Sequence, residues 1–254
     1  MDLQLKGRKA FVTGSTRGIG RAIAERFVAE GCSVAICSRN AGQVAETARA
    51  LEAKGAKVFA RAVDVADSRA LEAWIADGAK ALGGLDVFVA NASGLAASAT
   101  PEEFKKGFDV DVMHMYTGAN AALPFLEKSS GGAIVAIASI SGVEDYGYGE
   151  SAYGAMKAAL LFYMKSLSRK VGKKGIRVNA VSPGPIYFAG GYWSDVERKH
   201  PEAFRSVVEE NALRRMGKPE EIANVVAFLA SPMASYVNGA NYVVDGGHTR
   251  RIQN

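Results

Sequence analysis

With 254 residues, 48% of them hydrophobic, the chain is long enough for one large α/β domain, and nothing in it obliges a second. The net charge of +5 comes from scattered Lys and Arg, so nucleic acid is excluded as the preferred partner. Two cysteines, Cys32 and Cys37, lie five apart around one predicted strand, which excludes a disulfide framework or metal site and suits a reducing cytoplasm.

In chain order, Met1 to Lys6 lacks the apolar core of a signal peptide. No later run approaches the roughly 18 apolar residues that span a bilayer, so no membrane partner is expected. Lys9 to Thr13 is a short apolar run ending at glycine, as a buried parallel strand does. Gly14-Ser15-Thr16-Arg17-Gly18-Ile19-Gly20 follows and leads into a helical pattern from Arg21 to Glu30. A strand, a glycine turn and a helix in this order form a nucleotide-binding loop: backbone approaches a pyrophosphate and the helix N-terminus faces it. Ser33 to Ser38 is the second strand. An acidic residue near its end would take the ribose 2′-hydroxyl of NAD. Ser38 and Arg39 stand there instead, with Arg17 in the loop. Guanidinium groups suit a 2′-phosphate, so NADP(H) is the expected cofactor, with NAD(H) as the alternative.

Helix and strand then alternate. Gln43 to Lys54 reads as a helix closed by Gly55, and Lys57 to Val63 as a strand ending in Asp64-Val65. Ser68 is the expected cap of a helix running to Leu82, stopped by Gly83-Gly84. Asp86 to Ala90 is a strand followed by Asn91-Ala92-Ser93-Gly94, small residues that let a ligand lie against the strand ends. One helical region runs from Pro101 to Phe125, then Gly131-Gly132 turns the chain into the strand Ala133 to Ala138. A long helix opens at Ala152, and Arg177 to Val181 is another strand, ending Ser182-Pro183-Gly184-Pro185. From Ile186 to Met216 the periodicity breaks, and Tyr187, Tyr192 and Trp193 read as part of a substrate lid, with an oligomer contact as the alternative that does not exclude it. A short helix at Pro219 to Ala230 and a strand at Asn241 to Val244 complete the series. Repeated β–α units imply a doubly wound parallel sheet with helices on both faces.

The chemistry concentrates between Ser139 and Lys157. Tyr153 and Lys157 are four apart on a predicted helix and therefore share a face. An ammonium under a phenol favours the phenolate and brings the group towards acid–base work near neutral pH. Ser139, at the end of a strand, would hydrogen-bond the same substrate oxygen. The bland alternative is an ordinary amphipathic helix pair.

In their order and spacing these motifs resemble the short-chain dehydrogenase/reductase family over essentially the whole chain, 3-oxoacyl thioester reductases included. The matching residues are Thr13-Gly14, Gly18-Ile19-Gly20, Asp64-Val65, Asn91-Ala92, Ser139, Tyr153 with Lys157, Asn179 with Pro183-Gly184, and the tail from Arg215-Met216-Gly217 through Asp245-Gly246-Gly247. The resemblance implies a seven-stranded Rossmann sheet and NAD(P)-dependent hydride transfer at a carbon–oxygen bond. It makes Tyr153 the general acid in reduction and the base in oxidation, with Ser139 polarising the substrate oxygen. Lys157 would lower the tyrosine pKa and bind the nicotinamide ribose. Asp64 and Val65 would touch the adenine, Asn91 and Ala92 its ribose, and Ile186 the nicotinamide amide through its backbone, beside Pro183 and Gly184. Ser141 is the competing serine, and Tyr146 and Tyr148 would line the substrate mouth. Two residues depart from the family: Asp111 stands for its active-site asparagine, and Phe188 for a threonine near the nicotinamide. An aspartate there would pair with Lys157 and partly cancel its effect on Tyr153. The family also implies a homotetramer or homodimer built on the helices after Phe108 and Ala152. The expected activity is an NADP(H)-dependent interconversion of a ketone and a secondary alcohol. An NAD-dependent sugar or cyclic-diol dehydrogenase is the alternative enzyme, and a catalytically silent dinucleotide sensor the alternative of another class.

Overall fold

The computed structural model describes residues 2–146 and 151–252. Seven parallel strands form one sheet in the order β3-β2-β1-β4-β5-β6-β7. They are β1 (Lys9–Thr13), β2 (Ser33–Ser38), β3 (Val58–Ala62), β4 (Val87–Ala90), β5 (Ala133–Ile137), β6 (Arg177–Pro183) and β7 (Asn241–Val244). The doubly wound fold read from the alternating pattern is the one observed. β6 runs two residues past the expected Val181, because Ser182 and Pro183 still pair with Val243 and Val244.

The strands β1, β2, β4, β5 and β6 bury both faces, so alternate side chains supply two different cores. Phe11, Phe88 and Ile134 face α3 (Ser68–Leu82), α5 (His114–Leu126) and α6 (Ala152–Val171). Val12, Val34 and Val89 face α1 (Gly18–Ala29), α2 (Ala41–Glu52) and α9 (Pro219–Ala230). Phe11 meets Trp74 of α3 edge to face at 5.4 Å, both fully buried. Two large aromatics removed from water together contribute several kcal/mol.

Three local readings are corrected. The N-cap of α3 is Asp67, not Ser68: its carboxylate accepts from the backbone N–H groups of Arg69 and Ala70 at 3.0 and 3.1 Å. Ser68 is one residue too late to reach those donors. The single helix expected from Pro101 to Phe125 is divided into α4 (Pro101–Gly107) and α5 by a π-helical turn at Phe108–Met113. That wide turn carries Asp111. The aromatic segment after β6 is not irregular throughout; it contains α7 (Tyr192–Lys199) and α8 (Pro201–Glu210).

The sheet order reverses between β1 and β4, whose following loops diverge and leave a crevice above their C-terminal ends. Gly14 and Asn91 stand at that crevice. Among the described residues, no helix is long and apolar enough to cross a membrane.

Candidate active site

One open cavity of about 1420 Å³ occupies the crevice. At one end lies the loop between β1 and α1. Asn91 donates its side-chain amide to the carbonyls of Thr13 and Gly14 at 2.8 and 3.0 Å. Thr13 Oγ1 in turn accepts from the backbone of Asn91 and Ala92. The two divergent loops are thus tied together beneath the cavity. A Cβ on Gly20 would stand 2.3 Å from the Gly14 carbonyl, so only glycine lets α1 start so close to the loop. Arg17, the N-cap of α1, makes no side-chain capping bond. The first amides of the helix therefore remain available to an anion.

At the end of β2, Ser38, Arg39 and Asn40 line the cavity. The Ser38 hydroxyl is buried there without a hydrogen-bond partner among the described residues. No carboxylate occupies this position, and the exposed Arg17 and Arg39 give it positive charge. Asp64, Val65, Asn91, Ala92, Pro183, Gly184 and Ile186, all expected on the cofactor side, line the same cavity. The residues present fit a phosphorylated dinucleotide: an uncapped helix end, an orphan hydroxyl and guanidinium groups.

At the other end stand Ser139, Ser141, Tyr146, Tyr153 and Lys157. Ser139 Oγ accepts from the Ser141 amide at 3.1 Å, which starts a tight turn. A Cβ on Gly142 would come within 2.7 Å of the Lys157 carbonyl carbon, so the glycine lets this turn press onto α6. Ser151 caps α6 by accepting from Tyr153 N–H, and that amide also donates to Ala96 O at 2.9 Å. Tyr153 is thereby fixed at the first turn of α6, with Lys157 one turn on.

The Lys157 ammonium lies 5.5 Å from the centre of the Tyr153 ring. It donates to Ile137 O at 2.9 Å and pairs with Asp111 Oδ1 at 2.9 Å. The pair is almost wholly buried, the side chains being 2% and 0% exposed. Burial works against the charged lysine, but the charge of Asp111, the phenol of Tyr153 and the hydrogen bond to Asp111 together hold its pKa above the usual value. Asp111 Oδ2 is held by the Gly94 amide at 3.0 Å. Asp111 lies behind the cavity wall rather than on it, and it reaches the site through Lys157 and the Gly94 amide, both of which belong to residues of that wall.

His114, one turn beyond Asp111, is buried and contacts Val110 O through Nδ1 at 3.2 Å. Burial, opposed by Asp111 and aided by Lys157, brings its pKa down to about 4, so the imidazole is neutral.

Some expected residues stand elsewhere. Ser15 is buried and stitches the loop to β2, its Oγ accepting from Cys37 N–H at 3.1 Å. Tyr187 does not line the cavity: its hydroxyl donates to Glu197 at 2.6 Å and its ring packs on Phe204. Gly18 is screened by the Phe188 ring, which packs directly on Gly18 and Gly191. Tyr192 and Trp193 do line the cavity, edge to face at 5.2 Å. Tyr148 lies outside the described residues. His248, which sequence reasoning passed over, also forms part of the wall. The signal was its place directly after Asp245-Gly246-Gly247, a turn that fixes whatever follows it.

A glycine cradle and a tyrosine backed by a buried ammonium, joined by one cavity, are the layout of an NAD(P)-dependent oxidoreductase. Residues 14–249 match the family model described as enoyl-(acyl carrier protein) reductase. The chain belongs to the short-chain dehydrogenase/reductase family. It is 39% identical to isoepoxydon dehydrogenase of Penicillium expansum over 96% of this chain and 95% of that one. L-sorbose reductase from Gluconobacter frateurii, crystallised with NADPH and L-sorbose, superimposes with a TM-score of 0.92 at 33% identity, covering 99% and 100% of the two chains. A short-chain dehydrogenase from Burkholderia cenocepacia in complex with NADP gives 0.85 at 32% identity, covering 96% and 99%.

Proposed function

We propose that the protein is an NADP(H)-dependent oxidoreductase that interconverts a ketone and a secondary alcohol. The supporting observation is the Lys157 ammonium, pinned 5.5 Å from the Tyr153 ring in a cavity that continues to Arg17 and Arg39. The bound cofactor supplies or removes hydride. Ser139 holds the substrate oxygen. Tyr153 gives that oxygen its proton in reduction and takes it back in oxidation. Lys157 keeps positive charge beneath the phenol and meets the nicotinamide ribose, while Asp111 fixes the lysine. Ser38, Arg17 and Arg39 receive the 2′-phosphate. NADPH and NADP in two of the similar structures support this choice of cofactor.

The segment 186–216 serves as the substrate lid, with Tyr192 and Trp193 as its inner surface. The proposal extends to a cytoplasmic homotetramer or homodimer. Support comes from two buried free thiols, Cys32 and Cys37, and from the exposed aromatics Phe108, Tyr116 and Phe162 on the turn before α5, on α5 and on α6.

The test is decay of NADPH fluorescence with a panel of ketones, cyclic diketones and 3-oxo esters. Tyr153→Phe is expected to lose about 10²- to 10⁴-fold in turnover while still binding NADPH. Turnover equal to the parent's would remove Tyr153 as proton donor. Cofactor binding with no decay on any member would favour the silent sensor.

A further inference from the structure

We propose that His248, backed by Tyr146, forms a subsite for a second, uncharged oxygen of the substrate, a hydroxyl away from the reacting carbon. This rests on the carbonyl chemistry assigned to the same cavity.

His248 lines the cavity shared with Ser139 and Tyr153, yet it is only 7% exposed. Its position is built rather than incidental. The Asp245 carboxylate accepts from Gly247 N–H at 2.9 Å, from Thr249 N–H at 2.8 Å and from Thr249 Oγ1 at 2.8 Å. Gly246 and Gly247 take positive φ angles of 66° and 77°, which turn the chain tightly around that carboxylate. His248 is enclosed on both sides by these bonds, and its own amide donates to Asp245 O. The imidazole then packs on the Tyr146 ring, centroids 5.3 Å apart. The residues after it are tied to the loop that follows Ser139: Arg250 N–H donates to Glu144 Oε2 at 3.3 Å, and Arg251 donates to Val143 O. The wall bearing His248 is therefore anchored to the segment that carries the substrate serine.

Within this fixed setting the imidazole is short of partners. Its Nδ1 is buried and makes no hydrogen bond among the described residues. A buried polar ring normally satisfies both nitrogens, and no bond to Nδ1 fixes the tautomer here. The ring can accept from or donate to a hydroxyl, and the cavity is the side from which one can arrive. Glu144 and Asp145 also line the cavity beside Tyr146. Carboxylates there disfavour an anionic group, which selects a neutral oxygen. The substrate class that satisfies this wall is a compact hydroxyketone or its diol, rather than a simple alkyl ketone or a charged thioester.

The test compares cyclohexanone with 2-, 3- and 4-hydroxycyclohexanone, using the parent enzyme with NADPH, His248→Phe and His248→Asn. The parent is expected to favour at least one hydroxyketone by about tenfold or more in kcat/KM. In His248→Phe that ratio should fall towards one, chiefly through KM, and His248→Asn should restore part of it. A ratio unchanged within twofold in His248→Phe overturns the subsite. So does a parent with no preference among the four ketones. Binding gives an independent reading, through quenching of the fluorescence of Trp193 in the same cavity. Tighter binding of a hydroxyketone than of cyclohexanone, lost in His248→Phe but without turnover in the parent, would sink the assigned reaction and leave the subsite standing. Equal binding of all four would sink the subsite. Melting temperatures of both variants close to the parent's are expected, and a fall of more than about 10 °C in both would assign His248 to the fold instead.

Discussion

Replacing Asp111 with alanine strands the Lys157 ammonium in an almost wholly buried position. At a separation of 2.9 Å and an effective dielectric near 20, the attraction between the two charges is about 6 kcal/mol. Removing two ions from water costs several kcal/mol each, so the intact pair contributes little net stability. Deleting one partner is a different matter. The lysine keeps its desolvation cost and retains only Ile137 O as a described acceptor, and such deletions cost about 3–5 kcal/mol. For a chain of this size the midpoint of thermal unfolding should fall by roughly 10 °C at pH 7. Asp111→Asn keeps a neutral acceptor and should lose less than half as much. The pH dependence carries the sharper test. In the parent, the native lysine pKa lies above its ordinary value of 10.5, so its contribution is complete below that pH and is lost only as pH rises through the higher native value. In Asp111→Ala the largest raising influence is gone, and burial pulls the native value down. The unfolded chain then binds the proton more tightly than the native one, so the gap to the parent should narrow between pH 8 and about 10. Circular dichroism melts of both proteins across that range provide the assay. A loss under about 1 kcal/mol, or a gap that does not change with pH, would refute the electrostatic account.

Two further outcomes follow from the geometry. Arg39→Asp should lower the ratio of NADPH to NADH affinity by about 10- to 100-fold, as the loss of a charge-assisted phosphate contact implies; fluorescence titration with each cofactor reads it, and an unchanged ratio would reject Arg39 as a phosphate ligand. His114 is held neutral, with a pKa of about 4 against an ordinary 6.5, so the unfolded chain gains its proton first. Stability is complete above pH 6.5 and should fall by about 2–3 kcal/mol on acidification to pH 4.5, beyond any loss in His114→Phe. Equal acid slopes in urea unfolding of the two proteins would show that the imidazole is already solvated.

The strands were legible because a strand buried on both faces is an unbroken apolar run, and in this chain most such runs stop at glycine, asparagine or serine. Thr13-Gly14 and Ala90-Asn91 therefore declared both the sheet and the crevice at its centre. Tyr153 and Lys157 were legible because helix geometry alone brings residues four apart together. Other features depended on contacts that no spacing encodes. Asp67 and Ser68 are both good capping residues, and only the entry angle of the chain decides between them. Ser15 turns inward to β2, and Tyr187 turns outward to Glu197, through loop conformations that the side chains do not announce. His248 belongs to the cavity because β7 returns beside β6, a pairing of segments about sixty residues apart. Phe188 could be seen as a departure from the family, but not that its ring would settle on Gly18.

The wide turn at Phe108–Met113 ties the charge of the site to chain length as well as to residue identity. A π turn holds one more residue than an α turn, and closing it rotates one half of the helix against the other by about 100°. Loss of one residue from this stretch would swing α4 relative to α5 and carry the carboxylate away from the ammonium with no change to Asp111 itself. When relatives are compared, a one-residue gap here carries as much chemical meaning as the exchange of asparagine for aspartate. Length variation between 186 and 216 would move the wall that Tyr192 and Trp193 give the cavity, whereas length variation here resets the electrostatics behind it.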